Sequence, residues 1–292
     1  MQTQRALDSH LPVTKCCILE DLALRGFLKL QKGAGNPFKV VRSEFAVLFT
    51  QVLAQGTKPL RGVDKLDLSI PAGEICAFLG PNGAGKSTTL KMLTGLLAPS
   101  EGTAAVGGIN TAKDPIAVRR MCGTVPENLG LFDSLTVLEH LRLTGDIWGI
   151  DRKETWRRST ELLEALALTH GAHTFASDCS HGMRKKTALA MALLPNPRVL
   201  FLDEPFEGID PVASKTIRDL VVMMAARGVT VFLTSHMLGI VEEIAQRIIF
   251  IRGGVKVWDA PVSELPKALE GHYFDLVEAP VKQEMAWLGS GR

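Results

Sequence analysis

EICAFLGPNGAGKSTTLKML, residues Glu74 to Leu93, joins an apolar run to a helical pattern through a loop holding three glycines. The run from Ile75 to Leu79 has no polar alternation, as expected of a parallel strand buried on both faces. Leu90, Met92, Leu93 and Leu96 then place apolar side chains along a helix. Between them stands G-x-x-x-x-G-K-[ST], in the strand-loop-helix setting that gives this motif its meaning. Gly80, Gly83 and Gly85 let the backbone wrap closely, so that successive N–H groups and a helix N-terminus face phosphate oxygens. Lys86 supplies charge for the β and γ phosphates, and the Ser87 hydroxyl is a ligand for Mg²⁺. The candidate nucleotide-binding run is therefore Gly80, Pro81, Asn82, Gly83, Ala84, Gly85, Lys86, Ser87 and Thr88.

A second continuous apolar run, RVLFLDEP, ends in two carboxylates, Asp203 and Glu204. Ligands of open α/β sheets sit at the carboxyl ends of the strands, so this pair is expected beside the phosphate loop. By itself an Asp-Glu pair at a strand end reads as a solvated turn; the phosphate loop reverses that weighting. Asp203 then suits coordination of Mg²⁺, and Glu204 suits accepting a proton from the water that attacks the γ-phosphate. A third strand, GVTVFLTSH, brings His236 to the same edge, where imidazole can contact the γ-phosphate or orient the water.

Composition narrows the class. With 33 Lys and Arg against 31 Asp and Glu, the net charge is only +2, and no basic stripe interleaves with aromatics, which argues against nucleic acid as the main partner. Five cysteines without CxxC spacing fit reduced thiols better than a disulfide framework or a zinc site. The longest apolar runs, such as FAVLF at Phe45–Phe49 and IIFI at Ile248–Ile251, are too short to span a bilayer. Polar residues Asp8, His10 and Lys15 stand where a secretory signal would need an apolar core, so export is not expected.

CSHGMRKK, Cys179 to Lys186, sets a thiol, a hydroxyl and an imidazole side by side. Neighbours in a strand point to opposite faces and neighbours in a helix do not face each other, so His181 is poorly placed to act as a base for Ser180. The phosphate loop, the Asp-Glu strand and the downstream His236, with CSHGM about twenty residues before the Asp-Glu pair, together resemble the ATP-binding cassette (ABC) ATPases over about Leu60 to Leu276. Cys179 to Met183 falls where that family carries Leu-Ser-Gly-Gly-Gln; Ser180 and Gly182 are kept and three positions differ. The SxGM form is familiar among cassettes paired with exporter-type membrane subunits. A serine and backbone N–H groups at a helix start suit a phosphate, and a helix N-cap role for Ser180 is compatible with that.

The resemblance implies an α/β P-loop NTPase fold with a RecA-like core, a small antiparallel β part and a helical subdomain carrying the signature at about residues 134–194. It implies Ser180, His181 and Gly182 docking on ATP held by an opposite protomer, and Asp210, at the end of FEGIDP, reaching the dimer interface. Glu127, in GTVPENLGLFDSLTVLEHL, stands where the family usually has a glutamine that ligates Mg²⁺ and senses the membrane subunit. IIFIRGGVKVW reads as a hairpin about Gly253-Gly254. The family's adenine-stacking aromatic falls near Leu53, with Phe49 a weak substitute. Residues 43–278 are read as the ATPase domain and 279–292 as a tail. Residues 1–42, with seven basic and three acidic residues, are read as a flexible basic extension, whose ILEDLALRGFLKL segment has a composition suited to a membrane surface or a partner.

The implied function is ATP hydrolysis, with ATP and Mg²⁺ as cofactors, on the cytoplasmic face of a membrane. The implied partners are transmembrane permease subunits and a second cassette. Soluble ABC ATPases of translation carry two cassettes per chain, and those of chromosome maintenance insert a long coil for which Lys86 and Ser180 lie too close. A nucleotide sensor that does not hydrolyse ATP would not need Glu204 and His236.

Overall fold

The computed structural model describes residues 62–277 in full and, before them, the backbone of strands at 29–33, 36–41 and 47–53. The chain divides into two compact units, Met1–Phe45 and Ala46–Arg292. In the first, β1 (Lys29–Gly33) pairs antiparallel with β2 (Asn36–Val41), with Lys29 opposite Val41. This hairpin falls within residues 1–42, the span read from sequence as an extension. The rest of the amphipathic segment at 18–30 and the tail at 279–292 lie outside the described residues.

In chain order the second unit begins with β3 (Val47–Leu53), β4 (Leu66–Ile70), β5 (Ile75–Leu79), α1 (Lys86–Leu93), β6 (Glu101–Val106) and β7 (Ile109–Asn110). There follow α2 (Pro115–Met121), β8 (Cys122–Val125), α3 (Val137–Trp148), α4 (Arg152–Ala165) and α5 (His181–Leu193). The chain then returns through β9 (Val199–Asp203), α6 (Pro211–Ala226), β10 (Thr230–Thr234), α7 (Leu238–Ile244), β11 (Arg247–Arg252), β12 (Val255–Pro261) and α8 (Leu269–Val277).

The central sheet has the order β12-β11-β5-β10-β9-β8, parallel throughout except for the β11–β12 hairpin at one edge. That hairpin turns at Gly253 and Gly254, both at positive φ, as the paired glycines predict. The strand period of two divides the apolar residues between two cores. Ile75, Ala77, Leu79, Leu200, Leu202, Val231 and Leu233 face α3, α5, α6 and α7. Cys76, Phe78, Phe201 and Phe232 face the other way, against α1 and the antiparallel sheet β4-β3-β6-β7. Phe78, Phe201 and Phe232 are fully buried, with ring centroids 5.1 and 6.0 Å apart along the layer. Truncating any one to alanine costs about 3–5 kcal/mol, so the strand ends that carry the functional residues are firmly held.

The helical subdomain is built from local signals. Thr136 and Glu139 form a reciprocal capping box at the start of α3, and Gly149 ends that helix in the left-handed region. Asp151 caps α4, accepting from the N–H groups of Lys153 and Glu154. Buried His140 joins this subdomain to the loop before it: Phe132 N–H donates to Nε2 at 2.9 Å, which leaves Nδ1 to carry the proton toward Thr136 O at 2.8 Å. Among the described residues no helix is long and apolar enough to cross a membrane.

Candidate active site

The loop after β5 is set by its glycines and by the β11–β12 turn behind it. Gly83 and Gly85 have φ of 79° and 106°, a region that disfavours side chains. Ala84 N–H donates to Pro81 O at 3.1 Å, and Gly254 N–H donates to Ala84 O at 3.0 Å, clamping the loop from beneath. Ala84 is 2% exposed, so this member of the candidate run contributes backbone and packing while its side chain lies in the core. Lys86 Nζ donates to Gly80 O at 2.7 Å and to Pro81 O at 3.3 Å, across the loop that α1 closes.

A cleft of about 750 Å³ opens above this loop. It brings together Gly80, Pro81, Asn82, Gly83, Gly85, Lys86, Ser87 and Thr88 with Glu127, Asp203, Glu204 and His236, residues far apart in the chain. Gly62, Glu207 and Tyr273 also line it; sequence reading singles out none of these three. Tyr273 arrives on α8, which an aromatic cluster holds to the sheet, with Phe250 and Tyr273 centroids 5.7 Å apart and Trp258 and His272 centroids 5.0 Å apart.

The end of β9 is tightly wired. Thr234 Oγ1 donates to Asp203 Oδ1 at 2.6 Å and accepts from Glu204 N–H at 3.1 Å, so a single hydroxyl fixes both acidic residues. Glu204 has φ of 50°, unusual for a residue with a side chain. Its Oε2 accepts from His236 N–H at 3.2 Å and lies 3.0 Å from His236 Nδ1. Burial holds the Glu204 carboxyl above the usual carboxylate range, opposed by the charges of His236 and Lys86 and by the His236 N–H, and reinforced by Glu207. A carboxylate so placed can accept a proton from water, while His236 keeps one of its oxygens oriented.

The cleft fits a magnesium nucleotide on its own geometry. The glycine-rich loop lines the opening, and a Cβ on Gly83 would meet nothing within 4 Å, which leaves room for close approach of phosphate. Ser87, Asp203 and Glu127 present hard oxygen donors to the same space.

The ABC transporter family matches residues 63–207. The bacitracin transport ATP-binding protein BcrA of Bacillus licheniformis is 35% identical over 71% of this chain and 67% of its own length. The linearmycin resistance ATP-binding protein LnrL of Bacillus subtilis is 34% identical over 75% and 70%. The chain belongs to the ABC transporter ATP-binding family. Solved structures agree: an ATP-binding subunit of an ABC transporter superposes with TM-score 0.74 at 28% identity, over 79% of this chain and 99% of that one. A dimeric ATP-binding cassette in a post-hydrolysis state, bound to ADP and Pi, gives 0.68 at 25% over 74% and 98%.

In this ABC cassette the signature residues are set apart from the cleft just described. Ser180 caps α5, its Oγ accepting from Met183 N–H at 3.2 Å, and both Ser180 and His181 are exposed. Gly182 is buried against α6, where a Cβ would meet Ala213 Cβ at 3.1 Å and Asp210 Oδ2 at 3.3 Å. Asp210 caps α6, accepting from Val212 and Ala213 N–H at 2.9 Å each. The Ala213 bond leads in holding its carboxyl below the usual range. None of Ser180, His181, Gly182 or Asp210 lines the cleft. The side chains of Leu53 and Phe49, the candidates for adenine stacking, lie outside the described residues.

Proposed function

We propose that this cassette hydrolyses Mg²⁺-ATP at two sites shared between two protomers, on the cytoplasmic face of a membrane, to drive separate exporter-type transmembrane subunits. The observation that carries the reading is the division of the machinery. Phosphate loop, acidic residues and His236 share one cleft, while exposed Ser180 and His181 at the start of α5 are off it. A helix start with an exposed hydroxyl suits a phosphate, and in this reading the nucleotide of a second protomer supplies it. Relatives named for bacitracin transport and linearmycin resistance support an exporter role.

Within one site Lys86 leaves the carbonyls of Gly80 and Pro81 to pair with the β and γ phosphates. Ser87, Asp203 and Glu127 would hold Mg²⁺, which neutralises phosphate charge when bound. Glu204 takes the proton of the attacking water, and His236 steadies Glu204 through Oε2 and faces the γ-phosphate. Glu204→Gln should keep ATP binding while slowing hydrolysis by about 10²–10⁴-fold.

Mixing two defective variants tests the shared sites. Ser180→Arg blocks the face offered to the opposite nucleotide, and Lys86→Ala removes a charge-assisted contact worth about 1.5–3 kcal/mol. In a mixed dimer one composite site holds both defects and the other neither, so activity should rise above that of each variant alone. Mixed dimers without any such gain would refute shared sites.

A further inference from the structure

Lys185 lies on α5, five residues beyond Ser180, and is only 5% exposed. Its Nζ donates to the backbone carbonyl of Glu204, the residue held at φ of 50°. Four carboxylates act on the same ammonium: Glu207, Glu204, Glu127 and Asp203. A cation buried against a carbonyl is costly, and hydrophobic residues of similar volume usually replace one without loss. Its presence at the root of the acidic pair calls for a function beyond packing.

We propose that Lys185 is a positioning residue for hydrolysis: by donating to the Glu204 carbonyl it pins the Glu204 peptide in its left-handed conformation and so fixes the direction of the Glu204 side chain. This rests on the reading of Glu204 as the base. It also makes α5 a helix with two tasks, since its N-cap offers Ser180 outward and its second turn holds the backbone carbonyl of Glu204 in the chain's own cleft. Thr234 fixes the Glu204 N–H and Lys185 the Glu204 carbonyl, so the peptides on both sides of the catalytic side chain are anchored.

The test compares full-length Lys185→Met, Lys185→Gln and Lys185→Arg with wild type and with Glu204→Gln in steady-state ATPase assays. Loss of positioning should lower kcat by about tenfold to a hundredfold in the Met and Gln variants while KM for ATP stays within about threefold. Lys185→Arg, which keeps charge and donor, should restore kcat to within about threefold of wild type.

Should Lys185→Met fail to fold, the Gln variant is read in the same way. A Met or Gln variant with kcat within about threefold of wild type, beside an inactive Glu204→Gln, would overturn the positioning role and leave Glu204 as base. An Arg variant whose kcat falls as far as that of Met would overturn the need for a cationic donor at this position. Wild-type turnover by Glu204→Gln would remove the base assignment and the proposal with it.

Discussion

Gly83 and Gly85 stand two residues apart in the phosphate loop, yet alanine should act on them differently. Both have positive φ, 79° and 106°, so each substitution carries backbone strain of about 1–2 kcal/mol. Only Gly85 is also crowded: an added Cβ would stand 2.1 Å from Gly62 O and 3.2 Å from Val63 Cγ2, whereas at Gly83 nothing lies within 4 Å. Relieving a backbone overlap of that size costs about 1–3 kcal/mol more. Gly85→Ala should therefore lose about 2–5 kcal/mol and Gly83→Ala about 1–2. At about 2–4 °C per kcal/mol, Tm of the nucleotide-free protein should fall by roughly 4–20 °C for Gly85→Ala and 2–8 °C for Gly83→Ala. The Gly83 methyl projects into the cleft instead, so its main effect should be on ATP, weakening binding by about tenfold, or 1.4 kcal/mol. Differential scanning fluorimetry without nucleotide and calorimetric titration with ATP separate the two effects. Equal Tm values for the two variants, or a Gly85→Ala protein as stable as wild type, would refute the steric account of the loop.

Glu127 stands at the rim of the cleft, where a carboxylate or a carboxamide oxygen can meet a hard cation. Glu127→Gln should retain most hydrolysis and Glu127→Ala should bind ATP but turn it over slowly with a higher Mg²⁺ requirement; an alanine variant matching wild type in magnesium titrations would return the residue to the loop surface. The elevated proton affinity of Glu204 has a direct kinetic reading. The base acts only when ionised, so activity is present above its folded pKa and lost as pH falls through it, at a higher pH than the value of about 4.3 for a free glutamate. His236→Ala removes a charge that lowers that pKa while keeping the backbone N–H bond, and should move the acid limb of the pH–rate profile upward; an unmoved limb would show that the His236 side chain does not act on Glu204 in this way.

Much of this arrangement is legible in the chain itself, because it depends on neighbours in sequence. Continuous apolar runs at Ile75–Leu79, Val199–Asp203 and Thr230–Thr234 can lie only in a sheet covered on both sides, and all three are central strands. Thr136 with Glu139, Asp151, and Gly253 with Gly254 mark helix starts and a hairpin turn by chemistry acting within four residues. Positions at the carboxyl ends of those strands follow from the fold class, which is how Asp203, Glu204 and His236 could be placed beside Lys86.

The remainder belongs to tertiary structure, because its partners are separated by tens of residues or more and have no periodic signature. Nothing local distinguishes Thr234 as the hydroxyl that joins Asp203 to Glu204, or Tyr273 as a lining residue carried in on α8. Ala84 reads as part of the phosphate-facing run until Gly254 N–H is found beneath it, holding its carbonyl while its side chain is buried. Lys185 reads as one of several basic residues on a helix, a pattern that usually means a solvated face. Only the approach of α5 to the end of β9 buries that ammonium under Glu204 and surrounds it with carboxylates, since burial and electrostatic field depend on which surfaces meet in space.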